Sequence, residues 1–246
     1  MRDYALETKN RVEFIRDLVK RSGAKGIVFG NSGGKDCALV GILCKMACED
    51  TVGVMMPCES KINYGSDMAD GDEVAKQFHI ENRVVDLTEQ KRAAVRELEK
   101  VTTLNNQALT NINPRLRMMT VYAIGAAENR LVAGTGNRSE YYMGYFTKWG
   151  DGGYDFDPIR DLTVTEVYEF LRYLDAPKSI IEKAPSAGLF EGQTDEQEMG
   201  VSYAAIDRYI LTGEATEHDK QIIDRYHARS AHKRRPAAVY APEADE

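Results

Sequence analysis

Cysteine and histidine are scarce in this chain of 246 residues, and the few present are not arranged to bind metal. Cys37, Cys44, Cys48 and Cys58 form no C-x-x-C pair, and the four histidines show neither H-E-x-x-H nor zinc-finger spacing, which excludes the common zinc folds. Cys44 and Cys48, four residues apart on one predicted helix face, are expected to be buried thiols. No apolar run approaches the roughly 20 residues that a membrane helix needs. The opening "MRDYALETKNRVEF" lacks the apolar core of a secretion signal, so a cytoplasmic location is expected. Positive charge is not in excess either. A net charge of −7 argues against a general basic face for nucleic acid or membranes, so neither is an expected partner, although local basic sites remain open. There is no internal repeat. The two familiar phosphate loops are missing as well: counting a Walker motif from Gly30 puts Lys35 where its second glycine belongs, and no register of "GNSGGKDC" supplies G-x-G-x-x-G.

What the chain does contain is enough apolar material, 43% of residues, for one substantial core, so residues 1–246 read as a single domain with a frayed acidic tail at 241–246, "APEADE". "YALETKNRVEFIRDLVKRSG" has helical periodicity and stops at Gly23. "GIVFG", "TVGVMMP", "RVVDL" and "RLVAGT" read as short buried strands separated by helical patterns, which predicts a parallel sheet covered on both faces. A long helical stretch from about Gln90 to Asn129 should break near "TNINPR", because Pro114 disfavours helix at Asn113 and suits the first turn of a new one. From Gly134 to Leu162 the texture is rich in glycine, tyrosine and charge, as in a functional loop. Helical patterns return at "TVTEVYEFLRYL", "TDEQEMGVSYAAIDRYIL" and "ATEHDKQIIDRYHARSAHK".

Ligands of open parallel sheets gather at the carboxyl ends of the strands, where "NSGGKDC", "MPCESKINYG", "TEQKR" and "GTGNRSE" are predicted to lie. Ser32, Gly33 and Gly34 have the makings of an anion nest, reinforced by the dipole of the helix that follows. Asp36 then has two readings. It caps that helix, or it holds a cation against phosphates; the preceding glycine doublet favours the second. Glu140, beyond another strand end, would complete such a site.

Ser32-Gly33-Gly34-Lys35-Asp36-Cys37 resembles the S-G-G-x-D-S loop of the N-type ATP pyrophosphatases, which cleave ATP between its α- and β-phosphates. Within that superfamily, "NPRLRM", "GTGNRSE", "GYFTKWGDGGYDFDPI", "EKAPSAGLFEGQTDEQEMGVSY" and "HKRRP", in this order, are similar to the NAD synthetases, and the likeness runs from Gly30 to Pro236. The resemblance implies an α/β fold: a Rossmann-like parallel sheet with helices on both faces, of the adenine nucleotide alpha hydrolase-like kind, with C-terminal helical additions. It implies ATP-dependent amidation of deamido-NAD (nicotinic acid adenine dinucleotide) by ammonia, the last step of NAD biosynthesis. An adenylated intermediate is formed, and the products are NAD, AMP and pyrophosphate.

By the same resemblance, Gly30, Asn31, Ser32, Gly33, Gly34, Lys35, Asp36 and Cys37 surround ATP, with Lys35 at the variable position of the loop. Asp36 and Glu140 fall on the magnesium positions and are the implied catalytic pair. Thr135 and Ser186 match ATP-binding positions. Arg115, Lys148, Asp155, His232 and Lys233 match positions that bind deamido-NAD. Two departures stand out: Cys37 replaces the usual serine, and Val164 stands where many relatives carry an ATP-binding lysine, with Lys183 and Arg160 as candidates for the missing charge. Larger relatives carry a glutaminase domain, for which there is no room before the opening helix, so free ammonia is the expected nitrogen source. The small relatives are homodimers with the deamido-NAD site at the subunit interface, and a homodimer is expected here.

Other readings were open to the loop alone. Enzymes of tRNA thiolation and of GMP-synthetase-like amination use the same adenylation, but the C-terminal half matches neither. A nucleotide-binding regulator without catalysis is opposed by the presence of Asp36, Glu140, Arg115, Lys148 and Asp155 together.

Overall fold

In the first strand, alternation sorts the core into two layers. Ile27 and Phe29 turn to one side and Val28 to the other, each almost wholly buried, and side chains of this size contribute about 1.5–3 kcal/mol apiece on burial. A computed structural model of the chain describes residues 2–59, 65–183 and 195–240. Its sheet has four parallel strands, β1 (Gly26–Gly30), β2 (Thr51–Met55), β3 (Glu81–Val84) and β4 (Arg130–Ala133), in the order β3-β2-β1-β4. Val28 pairs with Val52 on one side and Val132 on the other, so a buried valine row crosses the sheet.

On the Ile27 and Phe29 side lie α1 (Tyr4–Ser22), α2 (Lys35–Ala47) and α7 (Val164–Tyr173), contributing Ile15, Leu39, Leu43, Phe170 and Leu171 to one cluster. On the Val28 side, α5 (Asn106–Glu128) crosses β1 and β4 and supplies Val121. The remaining helices are α3 (Ser66–Gln77), α4 (Thr88–Leu98), α6 (Arg138–Met143), α8 (Lys178–Ile181), α9 (Asp195–Met199), α10 (Tyr203–Thr212) and α11 (Glu217–Arg229). The C-terminal helices build a third cluster, in which Met143, Val164, Met199, Ile206 and Ile223 are buried together. The expected architecture, a parallel sheet with helices on both faces and helical additions, is therefore present. None of the described helices is long and apolar enough to cross a membrane.

Local expectations hold at several points. Gly23 ends α1 with φ of 70°, a left-handed conformation that glycine adopts without strain. Two expectations are corrected. Pro114 lies inside α5, and the break between helices falls at residues 99–105, where the Asn105 side chain caps α5 by accepting from Ala108 N at 2.9 Å. A proline costs a helix one hydrogen bond, and the packing of α5 along β1 and β4 outweighs that loss. The third strand begins two residues earlier than "RVVDL" suggests, although Val85 N and Leu87 N still bond to the Met55 and Pro57 carbonyls, each at 2.9 Å. Cys44 is in the core, while Cys48 is half-buried at the end of α2.

The sheet order matters for function. From β1 the chain moves to β2 on one side, yet β4 lies on the other, so the loops after β1 and β4 diverge and leave a crevice at their carboxyl ends.

Candidate active site

The loop after β1 is shaped from within. Gly33 has φ of 71°, and a Cβ there would overlap the Asp67 carbonyl oxygen. Glycine is required twice over, by conformation and by close approach. Asn31, only 8% exposed, accepts from Gly33 N at 3.1 Å and donates its amide to Gly71 O and to Asn82 Oδ1, both at 3.3 Å. Ser32 Oγ and Cys37 Sγ lie 3.1 Å apart, and burial raises the Cys37 thiol above its ordinary range. Gly34 caps α2 without a side chain. Asp36 is no cap: its carboxylate turns across the crevice instead.

On the far side, the loop after β4 runs through Gly134, Thr135 and Gly136 to Asn137, which starts α6 with a reciprocal capping box. Asn137 Oδ1 accepts from Glu140 N at 3.0 Å, and Glu140 Oε2 accepts from Asn137 N at 3.2 Å. The fully buried Asn137 then donates through Nδ2 to Asp36 Oδ1 at 3.1 Å, joining the two loops. Asp36 and Glu140, far apart in sequence, therefore meet at the sheet's switch point.

Their electrostatics are unusual. Burial, and then the Asp36 charge, push the Glu140 carboxyl well above the ordinary carboxylate range. Lys35 Nζ lies 2.8 Å from Asp36 Oδ2; burial works against its charge, but the carboxyl groups of Asp36 and then Glu140 outweigh it and hold the ammonium above its ordinary value. Two neighbouring carboxylates with only oxygen donors fit a hard divalent cation. Among the described residues no group of three or more His, Cys, Asp or Glu is gathered, so further ligands for a cation at Asp36 and Glu140 would come from outside the carboxylates, as phosphates can.

Behind Glu140 a buried support fixes its helix. Asp207 of α10 accepts from Ser139 Oγ at 2.5 Å, from Thr165 N at 2.8 Å and from Thr165 Oγ1 at 2.6 Å. Ser139 Oγ in turn accepts from Val164 N at 3.2 Å. Val164, the position noted above as a departure from many relatives, buries its side chain in the third core cluster.

The residues expected to hold the second substrate are partly gathered. Arg115 Nη2 donates to Lys148 O at 3.3 Å, and Lys148 Nζ donates to His232 O at 2.8 Å. Lys233 Nζ donates to Gly144 O at 2.8 Å and to Phe146 O at 2.6 Å, tying the tail to the glycine-rich loop. Asp155 is used differently, accepting from Tyr122 Oη at 3.1 Å and from Val132 N at 2.8 Å along the open edge of β4. Ser186 lies outside the described residues.

The two candidates for the missing charge also differ. Lys183 Nζ is paired with Asp67 at 2.8 Å and Asp70 at 2.6 Å. Arg160 is stacked on Tyr141, with its guanidinium carbon 3.7 Å from the ring centroid, donates to the Tyr154 hydroxyl, and lies over Gly136, where a Cβ would come within 2.8 Å of it. Sequence reasoning missed the roles of Asn137 and Asp207. The N-x-x-E pattern at Asn137 is a readable cap signal, whereas Asp207, 68 residues from Ser139, has no local signal at all.

A family model described as NAD synthase matches residues 7–239. The NH(3)-dependent NAD(+) synthetase of Carboxydothermus hydrogenoformans is 47% identical over 232 residues, which is 93% of this chain and 94% of that one. Among solved structures, NMN synthetase from Francisella tularensis superposes with a TM-score of 0.92 at 36% identity, covering 98% of this chain and 99% of that one. The NH3-dependent NAD synthetase from Campylobacter jejuni superposes with a TM-score of 0.80 at 26% identity, covering 98% and 100%.

Proposed function

Because the chain belongs to the NAD synthase family, we propose that it amidates deamido-NAD with ammonia at the expense of ATP, giving NAD, AMP and pyrophosphate. The observation that carries this reading is the bond from Asn137 to Asp36, which brings the phosphate loop and the Glu140 loop into one site. A carboxylate is a poor acyl donor, since its oxygen would have to leave as hydroxide or oxide. Its attack on the α-phosphorus of ATP breaks the bond to pyrophosphate and turns that oxygen into part of AMP, a good leaving group. Ammonia then attacks the acyl carbon, AMP departs, and the excess proton goes to solvent.

The chain's own groups serve these steps by binding and orienting. Backbone N–H groups around Gly34, the Ser32 hydroxyl and the start of α2 receive the pyrophosphate end of ATP, while Thr135 and Ser186 hold the rest. Asp36 and Glu140 would hold Mg²⁺, which when bound supplies positive charge against the charge growing on the leaving pyrophosphate. Arg115, Lys148, His232 and Lys233 suit the anionic groups of deamido-NAD, and Asp155 suits a ribose hydroxyl. The enzyme is a cytoplasmic homodimer working as one catalytic domain.

A second reading has a specific observation behind it. The TM-score of 0.92 is to the NMN synthetase from Francisella tularensis, so amidation of the mononucleotide, nicotinic acid mononucleotide, is the alternative. Both are tested together by supplying ATP and Mg²⁺ with either nucleotide, and with ammonium or glutamine, while following amide product, AMP and pyrophosphate. NAD formed from ammonium with one AMP and one pyrophosphate, faster than NMN is formed from the mononucleotide, is the expected result. Preference for the mononucleotide would establish the second reading, and no amide from either would refute both.

A further inference from the structure

Lys35 occupies the one position that the loop pattern leaves open, yet its side chain is only 8% exposed, a rare setting for lysine. Its Nζ lies 2.8 Å from Asp36 Oδ2 and is flanked by the rings of Tyr168 and Tyr203, whose centroids are 6.0 and 5.8 Å away. Both rings are tethered: the Tyr168 hydroxyl donates to Lys183 O at 2.7 Å and the Tyr203 hydroxyl to Asp195 Oδ2 at 3.1 Å. The second oxygen of Asp36 receives Asn137 Nδ2 at 3.1 Å. Both oxygens of this carboxylate therefore already have donors, and one donor bears a full positive charge.

A divalent ion on Asp36 Oδ2 would have to approach that ammonium closely, in a site from which most water is excluded, and the repulsion there is far stronger than in bulk solvent. We infer that Lys35 is a tethered cation that occupies the Asp36 carboxylate before nucleotide binds and has to leave it for a divalent ion to enter. The inference rests on the reading of Asp36 and Glu140 as the metal-binding pair. Its consequence is an order of events: ATP phosphates draw the flexible ammonium away and bring oxygen ligands of their own, so metal binding is coupled to nucleotide binding.

The test is direct Mn²⁺ binding without nucleotide, read from the paramagnetic resonance signal of the free ion. Lys35→Gln should bind Mn²⁺ roughly tenfold or more tightly than the wild type, because a unit charge is removed beside the site. Lys35→Arg, which keeps the charge, should remain as weak as the wild type, and adding Asp36→Asn to Lys35→Gln should abolish the gain. Circular dichroism establishes that each variant is folded, and Lys35→Ala replaces Lys35→Gln if the latter is not, since only the charge is at issue. The inference is overturned if the charge-free variant binds no more tightly than the wild type, if the gain survives Asp36→Asn, or if no form binds Mn²⁺. No turnover is involved, so a protein that makes no NAD but gains Mn²⁺ affinity on loss of Lys35 would refute the proposed reaction alone.

Discussion

Asp207→Ala tests whether Glu140 is held in place from behind by the C-terminal helices. The aspartate is 3% exposed and accepts from the Ser139 hydroxyl, the Thr165 amide and the Thr165 hydroxyl at 2.5–2.8 Å. Alanine would strip all three donors of their acceptor. Hydrogen bonds to a charged group contribute about 1.5–3 kcal/mol each, and a buried donor left without a partner costs about 1–3 kcal/mol. Thr165 is exposed and can turn to water, so the total loss should be on the order of 3–5 kcal/mol, as for other broken buried charge networks. For a chain of this size each kcal/mol lowers Tm by about 2–4 °C, which puts the fall on the order of 10 °C. Activity should fall independently of unfolding, because Ser139 precedes Glu140 and a displacement of about 1 Å at a reacting centre can cost about a hundredfold in rate. Thermal melts by circular dichroism, paired with kcat for NAD formation well below the new Tm, separate the two effects. Ser139→Ala should show a smaller version of both, and the double mutant should lose less than the sum, as expected for one network. A Tm within about 2 °C of the wild type, with kcat intact, would refute the reasoning, since an effect below about 1 kcal/mol is not the loss of a buried anion.

Three further outcomes are expected. Gly33→Ala should abolish pyrophosphate release while leaving a folded protein, because the left-handed φ of 71° and the approach of Asp67 leave no room for a methyl group; retained activity would contradict the loop geometry. Asp157→Asn should stabilise the protein at neutral pH. Burial pushes this carboxyl up to about 6, and Oδ2 has no hydrogen-bond partner among the described residues. Between pH of about 4 and 6 the folded state keeps a proton that the unfolded chain has released, so stability falls as pH rises through that window. Denaturant titrations should find the wild type losing on the order of 1–3 kcal/mol more than Asp157→Asn from pH 4 to 7, and parallel profiles would refute the assignment. Arg160→Ala should raise the ATP KM several-fold and Lys183→Ala should change it less than about twofold. Arg160 lies beside Gly136, whereas the Lys183 charge is already matched by Asp67 and Asp70, and steady-state kinetics in which Lys183 carries the larger effect would reverse the assignment.

Short-range physics made much of this molecule readable from its sequence. "GIVFG" and "TVGVMMP" are apolar and bounded by turn residues, and they are strands; Gly23 ends the opening helix because only a residue free of a Cβ takes that conformation cheaply. The glycines of "NSGGKDC" mark a loop that anions can approach, and the order of the later blocks identified the family. Pro114 marks where local reasoning failed, since a helix packed along two strands tolerates a proline that an isolated helix would not. The sequence by itself determined the strands, most of the described helices and the family to which the chain belongs. Tertiary structure alone decided that Asn137 links Asp36 to the Glu140 helix, that Asp207 braces that helix, and that Lys35 is an internal cation. Each of these depends on groups brought together by the strand order β3-β2-β1-β4 and by C-terminal packing, and no local periodicity records which distant donor will meet which buried charge.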